Sequence, residues 1–388
     1  MLEDKTMNFD LNFHFKKYNN NIFFEQKNYA ELRADIIASS IIIKKMSIDS
    51  VVGLKIESPY LMVVALWALR LNHLLAVLIS SHETDSAILL FKKQIHFDFI
   101  IEDFHFNHLI HQENNQLLDI DLTKASLVIF SSGTTAAPKG VVLSFNNLYY
   151  SAIGFSQYFK QQENDSSIIN LPHHHVGGLM ILWRAFFSGG KIVTDFKNPI
   201  DFLSLVPTQL KRMLEDKIQQ ELLKKIRVIL IGGAPLSPSL REKALAFGLS
   251  LYETYGMTET ASLVMVNGEV LPYRQIRLDE LGFFNVAGKT LGLGYFQNQL
   301  FVPFVEDWLK TNDLGKITSD GHFLFEKRAD LIFMCGGQNI NPLEIEEVVK
   351  NHPNTSDACL VSIPNEEWGN WYFALSKKRK SSCSNWKQ

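Results

Sequence analysis

The chain has 388 residues, 46% of them hydrophobic, and its 38 Lys and Arg against 41 Asp and Glu leave a net charge of −3. That is enough apolar material for a large buried core and, at roughly 100–200 residues per domain, for two or three structural units. The charge balance excludes the basic footprint of a nucleic-acid binder.

The three cysteines, Cys335, Cys359 and Cys383, lie far from any CxxC or paired pattern, so a reduced, cytoplasmic protein is expected. The N-terminus MLEDKTMNFD carries acids early and has no apolar core, unlike a signal peptide. In chain order, apolar periodicity predicts helices over Ala30–Ile43 and Pro59–Leu71. The second opens the segment PYLMVVALWALRLNHLLAVLIS. Arg70, Asn72 and His73 cut that segment into pieces too short for a membrane span, so it reads as a buried helix followed by a buried strand.

Leu127–Phe130 predicts a strand, Asn146–Phe159 a helix, and Ile168–Leu171 and Lys191–Val193 two more strands. Thr208–Lys225 predicts a helix and Arg227–Ile231 a strand. This alternation predicts an α/β fold: a large N-terminal domain of mainly parallel sheets flanked by helices. From about Asp279 the strands shorten and the turns become polar. Asn341-Pro342-Leu343-Glu344 then opens a helix with an early Pro and an acid in its first turn. A small α+β C-terminal domain is expected over 328–388, after an N-terminal domain over 1–327. The tail KKRKSSCSNWKQ is basic, polar and short and reads as frayed.

The stretch SSGTTAAPKGVVLS, Ser131 to Ser144, follows the apolar run Leu127–Phe130. It lacks the GxxxxGK spacing of the common mononucleotide loop. Ser131, Ser132, Thr134 and Thr135 nevertheless offer hydroxyl donors, Gly133 allows close backbone approach, and Lys139 can neutralise phosphate charge. A plain Ser/Thr surface turn is the alternative. In YETYGMTETAS, Thr258 can reach a phosphate oxygen and Glu259 can hold a magnesium ion on it, unless the segment is an ordinary capped loop. LIGGAPLS exposes backbone at Gly232 and Gly233, against which a flat base could lie, or is a simple strand-to-helix turn. Asp313 in TNDLG suits ribose hydroxyls. KRADLIFMCGGQNINPLEIE joins Arg328 and Asp330 to a glycine pair.

In this order, from about Tyr29 to Gly369, the motifs resemble the adenylate-forming superfamily of acyl-CoA synthetases, luciferases and peptide-synthetase adenylation domains. The loop at Ser131 looks like that family's own Ser/Thr/Gly phosphate loop, with Ala136 where the family usually has glycine. The resemblance implies ATP, Mg2+ and coenzyme A. Ser131, Ser132, Gly133, Thr134, Thr135 and Lys139 would take the β- and γ-phosphates. Thr258 would contact the α-phosphate and Glu259 would hold magnesium. Gly233, Ala234 and Tyr255 would frame adenine, and Asp313 and Arg328 would take the ribose. Asp330 matches the hinge of the small domain. Gly336, Gly337 and Asn339 would line the CoA path.

LPHHHVGGLMILWRAFFSGGKIV holds three adjacent histidines, but consecutive side chains point apart and do not converge on one metal. The position of His175, with Gly177 and Gly178, lines the family's acyl pocket. Together with Ile181-Leu182-Trp183-Arg184, Gly268–Pro272 and the compact size, the stretch is similar to the o-succinylbenzoate–CoA ligases of menaquinone synthesis. The expected function is therefore an ATP-dependent acid–CoA ligase working through an acyl-adenylate. The alternatives are a ligase for another aromatic or fatty acid, or a catalytically weak ATP- or acyl-adenylate-binding paralogue. Arg184 reads equally as a counter-ion for the second carboxylate or as a helix residue with its charge at the surface. The expected partners are a small carboxylic acid, ATP and CoA, without nucleic acid or membrane span. A homodimer is one arrangement open to the chain. The family pattern ends after IPNEEWGN, and its final lysine motif has no counterpart at Lys377, Lys378 or Lys380. This implies an incomplete C-terminal domain and slowed adenylation.

Overall fold

The computed structural model describes residues 9–107, 109, 119–131, 138–335, 337–340, 342–350, 352, 354–365 and 369–378. By packing, the chain forms two compact units. One comprises Met1–Arg277 with Asn285–Leu309, the other Leu278–Phe284 with Lys310–Gln388. Residues 310–327 thus pack with the second unit. The sequence reading places the start of the small domain later, at Arg328, with its hinge near Asp330.

The first unit is built on two sheets of the expected α/β type. A nine-stranded sheet runs, in spatial order, Glu269–Val270, Ser262–Val266, Leu251–Met257, Val228–Ile231, Phe202–Leu205, Ser166–Ile168, Lys191–Val193, Ile22–Phe24 and Lys27–Asn28. Its middle strands, from Leu251–Met257 to Ile22–Phe24, are parallel, and antiparallel strands close both ends. A seven-stranded sheet runs Leu300–Pro303, Gly294–Gln297, Lys139–Ser144, Ala125–Ser131, Leu75–Leu78, Val51–Lys55 and Ile100–Glu102.

Side-chain alternation along these strands separates the cores on either face. Leu127 and Ile129, with Ala76, Leu78, Val141 and Leu143, join the central core that also holds Phe23 and Ile192 of the larger sheet. Their neighbours Val128, Phe130, Val77, Ile79 and Val142 form a second core with Ile88. In the larger sheet Leu203, Leu205, Ile229 and Ile231 face one way, and Phe202, Val228 and Leu230 the other. The helix Pro59–Leu71 is buried from Tyr60 and Met62 to Arg70, so it is a core helix, as the interrupted apolar segment implied. No described helix is long and apolar enough to cross a membrane.

Two expectations shift. The helix expected over Thr208–Lys225 is two helices, Pro207–Met213 and Lys217–Leu223. Asp216 breaks it, because its carboxylate accepts from the backbone N–H groups of Ile218 and Gln219 as an N-cap. The strand expected over Ile168–Leu171 is Ser166–Ile168. Parallel pairing with Lys191–Val193 ends at Ile168, and Asn170 and Leu171 pass into the loop before the next helix.

The strand Trp308–Ile317, part of the second unit from Lys310 onward, pairs with Phe323–Arg328; in the same unit Phe333–Cys335 pairs with Gln338–Ile340, and Thr355–Asn365 with Gly369–Lys378. Pro342–Lys350 is the helix expected after Asn341. Lys377 and Lys378, read as part of a frayed tail, lie in the last strand, held in register by Asp357 and Thr355. Residues 379–388 lie outside the described residues.

On the helix Leu11–Tyr18, His14 is buried against Phe186, with ring centroids 4.5 Å apart, and its Nε2 meets no partner among the described residues. Burial holds its pKa down at about 3, so it stays neutral in the folded protein. In the unfolded chain the ring titrates near 6.5. Below that pH the unfolded state takes up a proton that the folded state refuses, and stability falls with pH by up to about 1.4 kcal/mol per unit per group. Urea unfolding should therefore show a stability loss from pH 7.5 to 5, and His14→Phe should flatten it. Equal slopes for the two proteins would assign the loss to other groups.

Candidate functional site

The parallel strands Phe202–Leu205, Val228–Ile231 and Leu251–Met257 end side by side, and a cavity of about 330 Å3 opens at their carboxyl ends. Open α/β sheets bind ligands in this position, because the turns leaving the strands expose backbone there. Its wall takes Leu205, Leu230, Gly232, Gly233, Met257 and Leu263 from the strand ends. Gly233 has φ +78°, a left-handed conformation that favours glycine, and a Cβ at Gly232 would lie 2.4 Å from Thr254 Oγ1.

The opposite wall is the loop and helix around His175, Val176, Gly177 and Gly178. The helix Val176–Ser188 is buried from Gly178 to Phe187, and its first turn packs on the backbone of Leu171 and Pro172. A Cβ at Gly178 would come within 2.3 Å of the Pro172 carbonyl oxygen. At Gly177 the nearest atom would be Leu171 Cδ1 at 3.7 Å, so that position has room. The three histidines have separate surroundings. His173 Nε2 lies 3.0 Å from the Ile56 carbonyl oxygen, the His174 ring rests 4.3 Å from that of His175, and His175 lines the cavity. Burial lowers the pKa of all three, that of His174 to about 4, so they stand neutral at pH 7.

Arg184 also lines this cavity. Of its two sequence readings, the charge at the surface is excluded: the residue is 5% exposed. Its Nη2 donates to Ser262 Oγ at 3.3 Å, its guanidinium lies 4.3 Å from the Phe155 ring centroid, and its Nε meets no acceptor among the described residues. Among the described residues no carboxylate pairs with it. Burial pulls its pKa down to about 9, which leaves it cationic at neutral pH. A second buried arginine, Arg274, is fully engaged. It donates to the carbonyl oxygens of Leu263, Pro272 and Ser151 and to Ser151 Oγ. Ser262 itself has φ +88°, strained for a residue with a Cβ, and Ala261 before it has φ 49°. The turn is pinned by buried Thr260, whose hydroxyl donates to the Ser262 carbonyl at 2.8 Å.

That same turn carries Thr258 and Glu259. Glu259 Oε1 accepts from the Tyr295 hydroxyl at 2.9 Å, and Lys139 Nζ lies 5.6 Å from the centroid of the Tyr295 ring. Burial and Glu259 raise the Tyr295 pKa, so its phenol remains a donor. Lys139 opens the strand Lys139–Ser144, which pairs antiparallel with Ala125–Ser131, Ser131 opposite Lys139. The Ser131 loop therefore joins two strands of a hairpin. Ser132, Gly133, Thr134 and Thr135, expected to cradle phosphate, lie outside the described residues, as does the side chain of Ser131.

A divalent cation fits this neighbourhood in one way. No group of three or more His, Cys, Asp or Glu able to hold a metal occurs among the described residues. Glu259 keeps one carboxylate oxygen without a hydrogen bond there. A single hard carboxylate of this kind suits magnesium, which usually keeps waters and is completed by substrate phosphates.

The expected adenine residues separate. Gly233 lines the cavity, whereas Ala234 beside it is exposed and Tyr255 and Thr258 lie outside its wall. In the second unit, Asp313 and Arg328 pair across a hairpin, with Arg328 Nε 3.7 Å from Asp313 Oδ1. Arg328 also binds Asp330 in a two-point contact at 3.0 and 2.8 Å. Gly337 sits at the turn between Phe333–Cys335 and Gln338–Ile340 with φ +82°. Asn339 lies in the second of those strands, its side chain outside the described residues, as is Gly336. Sequence reasoning left Arg184 unassigned and passed over Tyr295. A clue existed for the first: Arg184 is the only charged residue in VGGLMILWRAFFS, a helix apolar all round, which has no wet face to offer it.

Residues 95–283 match the family model described as AMP-binding enzyme. Curated relatives include 2-succinylbenzoate–CoA ligases of Bacillus cytotoxicus and Bacillus cereus strain Q1. Each is 31% identical over 287 residues, 65% of this chain and 60% of the relative. The chain thus spans about 60% of the length of the curated relatives it matches. Among solved structures, o-succinylbenzoate CoA synthetase of Bacillus subtilis in complex with the acyl-adenylate OSB-AMP superposes with a TM-score of 0.81 at 24% identity. That match covers 95% of this chain and 88% of the other. ATP-bound MatB of Rhodopseudomonas palustris gives 0.82 at 20% identity over 98% and 90%. The match to the AMP-binding enzyme model thus covers residues 95–283, and the chain as a whole has the fold of the o-succinylbenzoate CoA synthetases.

Proposed function

We propose that this chain is an ATP-dependent acid–CoA ligase whose acid is aromatic and carries a second carboxylate, o-succinylbenzoate being the best fit. The observation that supports this most directly is Arg184. It is a buried guanidinium without a carboxylate partner among the described residues, in the wall of a cavity otherwise lined mainly by Leu, Val, Met, Pro and Gly. Removing a cation from water costs several kcal/mol unless an anion answers it, so the site is built for an anionic group on an apolar body. The reacting carboxylate cannot fill that role and also meet ATP. A dicarboxylate with an aromatic frame fits both needs. The curated relatives, named as 2-succinylbenzoate–CoA ligases, support the same choice.

In this reading the reacting carboxylate attacks the α-phosphorus of ATP, releasing pyrophosphate and forming the acyl-adenylate. CoA sulfur then attacks the acyl carbon and AMP leaves. The protein's part is positioning and charge stabilisation. The Ser131–Lys139 loop holds the β- and γ-phosphates, Thr258 reaches the α-phosphate, and Glu259 takes magnesium. Gly233, Ala234 and Tyr255 frame the adenine, and Asp313 with Arg328 takes the ribose. Magnesium, when bound, neutralises phosphate charge that develops as pyrophosphate departs. Gly177 leaves space for the acid, Gly178 lets the helix lie against the Pro172 carbonyl at the pocket wall, and neutral His175 closes its side of the pocket without adding charge. The domain from Arg328 turns about Asp330 and brings Gly336, Gly337 and Asn339 to the CoA path between the two half-reactions. ATP and CoA are cytoplasmic substrates, which favours that location.

Pyrophosphate release screened across acids tests the reading: o-succinylbenzoate should exceed benzoate and medium-chain fatty acids in kcat/KM. Release with none of these acids would overturn it. Arg184→Met should cut kcat/KM for o-succinylbenzoate by about 2–5 kcal/mol, roughly 30- to 5000-fold, and erase its advantage over benzoate. The same substitution removes an unpaired buried charge, so the ligand-free protein should melt at an equal or higher temperature. A lower melting temperature with intact acid preference would make Arg184 a structural residue.

The two neighbouring glycines should part company. Gly177→Leu fills the pocket and should weaken acid binding while ATP affinity by calorimetry stays near wild type. Gly178→Ala sets a Cβ against backbone and should destabilise the fold itself. If Gly177→Leu binds the acid normally, the pocket lies elsewhere.

A further inference from the structure

Tyr295 belongs to none of the motifs above, yet it touches two of them. Its hydroxyl donates to Glu259 Oε1 at 2.9 Å, and its ring lies 5.6 Å from Lys139 Nζ. The ring is held from a third side by Phe304, edge to face with centroids 5.0 Å apart. Its backbone is in the ladder that carries Lys139: Tyr295 stands opposite Val141 and Phe296 opposite Gly140. The Glu259 turn is tied to the same segment, because Gly292 N–H donates to the Glu259 carbonyl at 2.7 Å.

We propose that Tyr295 is a positioning residue that keeps the Glu259 carboxylate and the Lys139 amine separate, each aimed at its own part of a magnesium–ATP complex. This rests on the nucleotide reading given above. A lysine and a glutamate on adjacent elements would otherwise close into a direct ion pair, spending on each other the charges that metal and phosphate need. No such pair forms between them among the described residues. The tyrosine touches both and offers each a weaker, neutral contact. Lys139 has a π face, worth about 0.5–1 kcal/mol at exposed sites, and Glu259 has one hydrogen bond to a single oxygen. The other oxygen keeps no hydrogen bond among the described residues and can accept a cation. Hydrogen bonds that orient a metal-ligating carboxylate commonly change metal affinity by about 10- to 100-fold.

The test is ATP binding followed by calorimetry, with MgCl2 titrated from a chelated, metal-free start. Tyr295→Phe keeps the ring against Phe304 and near Lys139 and removes only the hydroxyl. It should raise the MgCl2 concentration for half-maximal enhancement of ATP binding about 10-fold. Metal-free ATP affinity and the melting temperature should stay at wild-type values. Tyr295→Leu also removes the π face and should further weaken metal-free ATP binding by about 2- to 5-fold. A Tyr295→Phe protein that titrates like wild type, or one that only melts earlier, overturns the positioning role. Wild-type protein and Glu259→Gln serve as the separate control. If wild type shows no magnesium-dependent ATP binding, the nucleotide reading fails and this inference with it. If wild type responds to magnesium, Glu259→Gln does not and Tyr295→Phe is normal, only the inference fails.

Discussion

A guanidinium held away from water without a carboxylate has to be supported by the structure around it. Arg184 sits on a helix buried on all sides, with Phe155 under its charge and one serine hydroxyl as acceptor. Its neighbour Arg274 donates to the backbone carbonyls of Leu263, Pro272 and Ser151. Keeping two like charges close in a dry interior costs stability, and the large aromatic core around Trp67, Trp183 and Phe186 is what offsets it. That core has to be rigid for the charge to remain where a ligand can use it.

The same rigidity explains the geometry of the cavity. Parallel strands end together because their ladders are in register, and the turns that leave them need glycine where backbone approaches backbone. Gly178 is there because the helix lies directly on the Pro172 carbonyl, whereas a Cβ at Gly177, one residue earlier, would meet only Leu171 Cδ1 in ordinary contact at 3.7 Å. Adjacent glycines thus serve opposite ends, one allowing contact and the other leaving room. On the far side, left-handed backbone at Ala261 and Ser262 turns the chain back on itself, so that Ser262 reaches Arg184 and Glu259 reaches Tyr295.

Parts of this were legible in the sequence. Pro59–Leu71 has the expected bounds because a proline suits its first turn, Ser58 caps it, and the chain leaves the helix at Asn72, after an apolar run that only Arg70 interrupts. Lys191–Val193 has the expected bounds because the turn at Gly189 and Gly190 leads into it. Thr208–Lys225 misled, since Asp216 reads as one polar residue within an amphipathic run until its carboxylate is seen capping the next helix. The antiparallel strand Lys139–Ser144 was not foreseen. Its alternation is short, and what makes it a strand is pairing with Ala125–Ser131 on one side and Gly294–Gln297 on the other.

By itself, the sequence determined the α/β class, the presence of a large core, and the set of chemical groups available: hydroxyls and a lysine around Ser131, and a hydroxyl and carboxylate at Thr258 and Glu259. These follow from residue type and local spacing, which short-range sterics and periodicity translate directly. Only the tertiary structure decided which of these groups meet. Arg184 and Ser262 are 78 residues apart, and Glu259 and Tyr295 are 36 apart. No local rule brings such pairs together. Burial of Arg184 and the contacts of Tyr295 with Glu259 and Lys139 depend on how sheets and helices stack, because the solvation of a charge is a property of everything packed around it rather than of its neighbours in the chain.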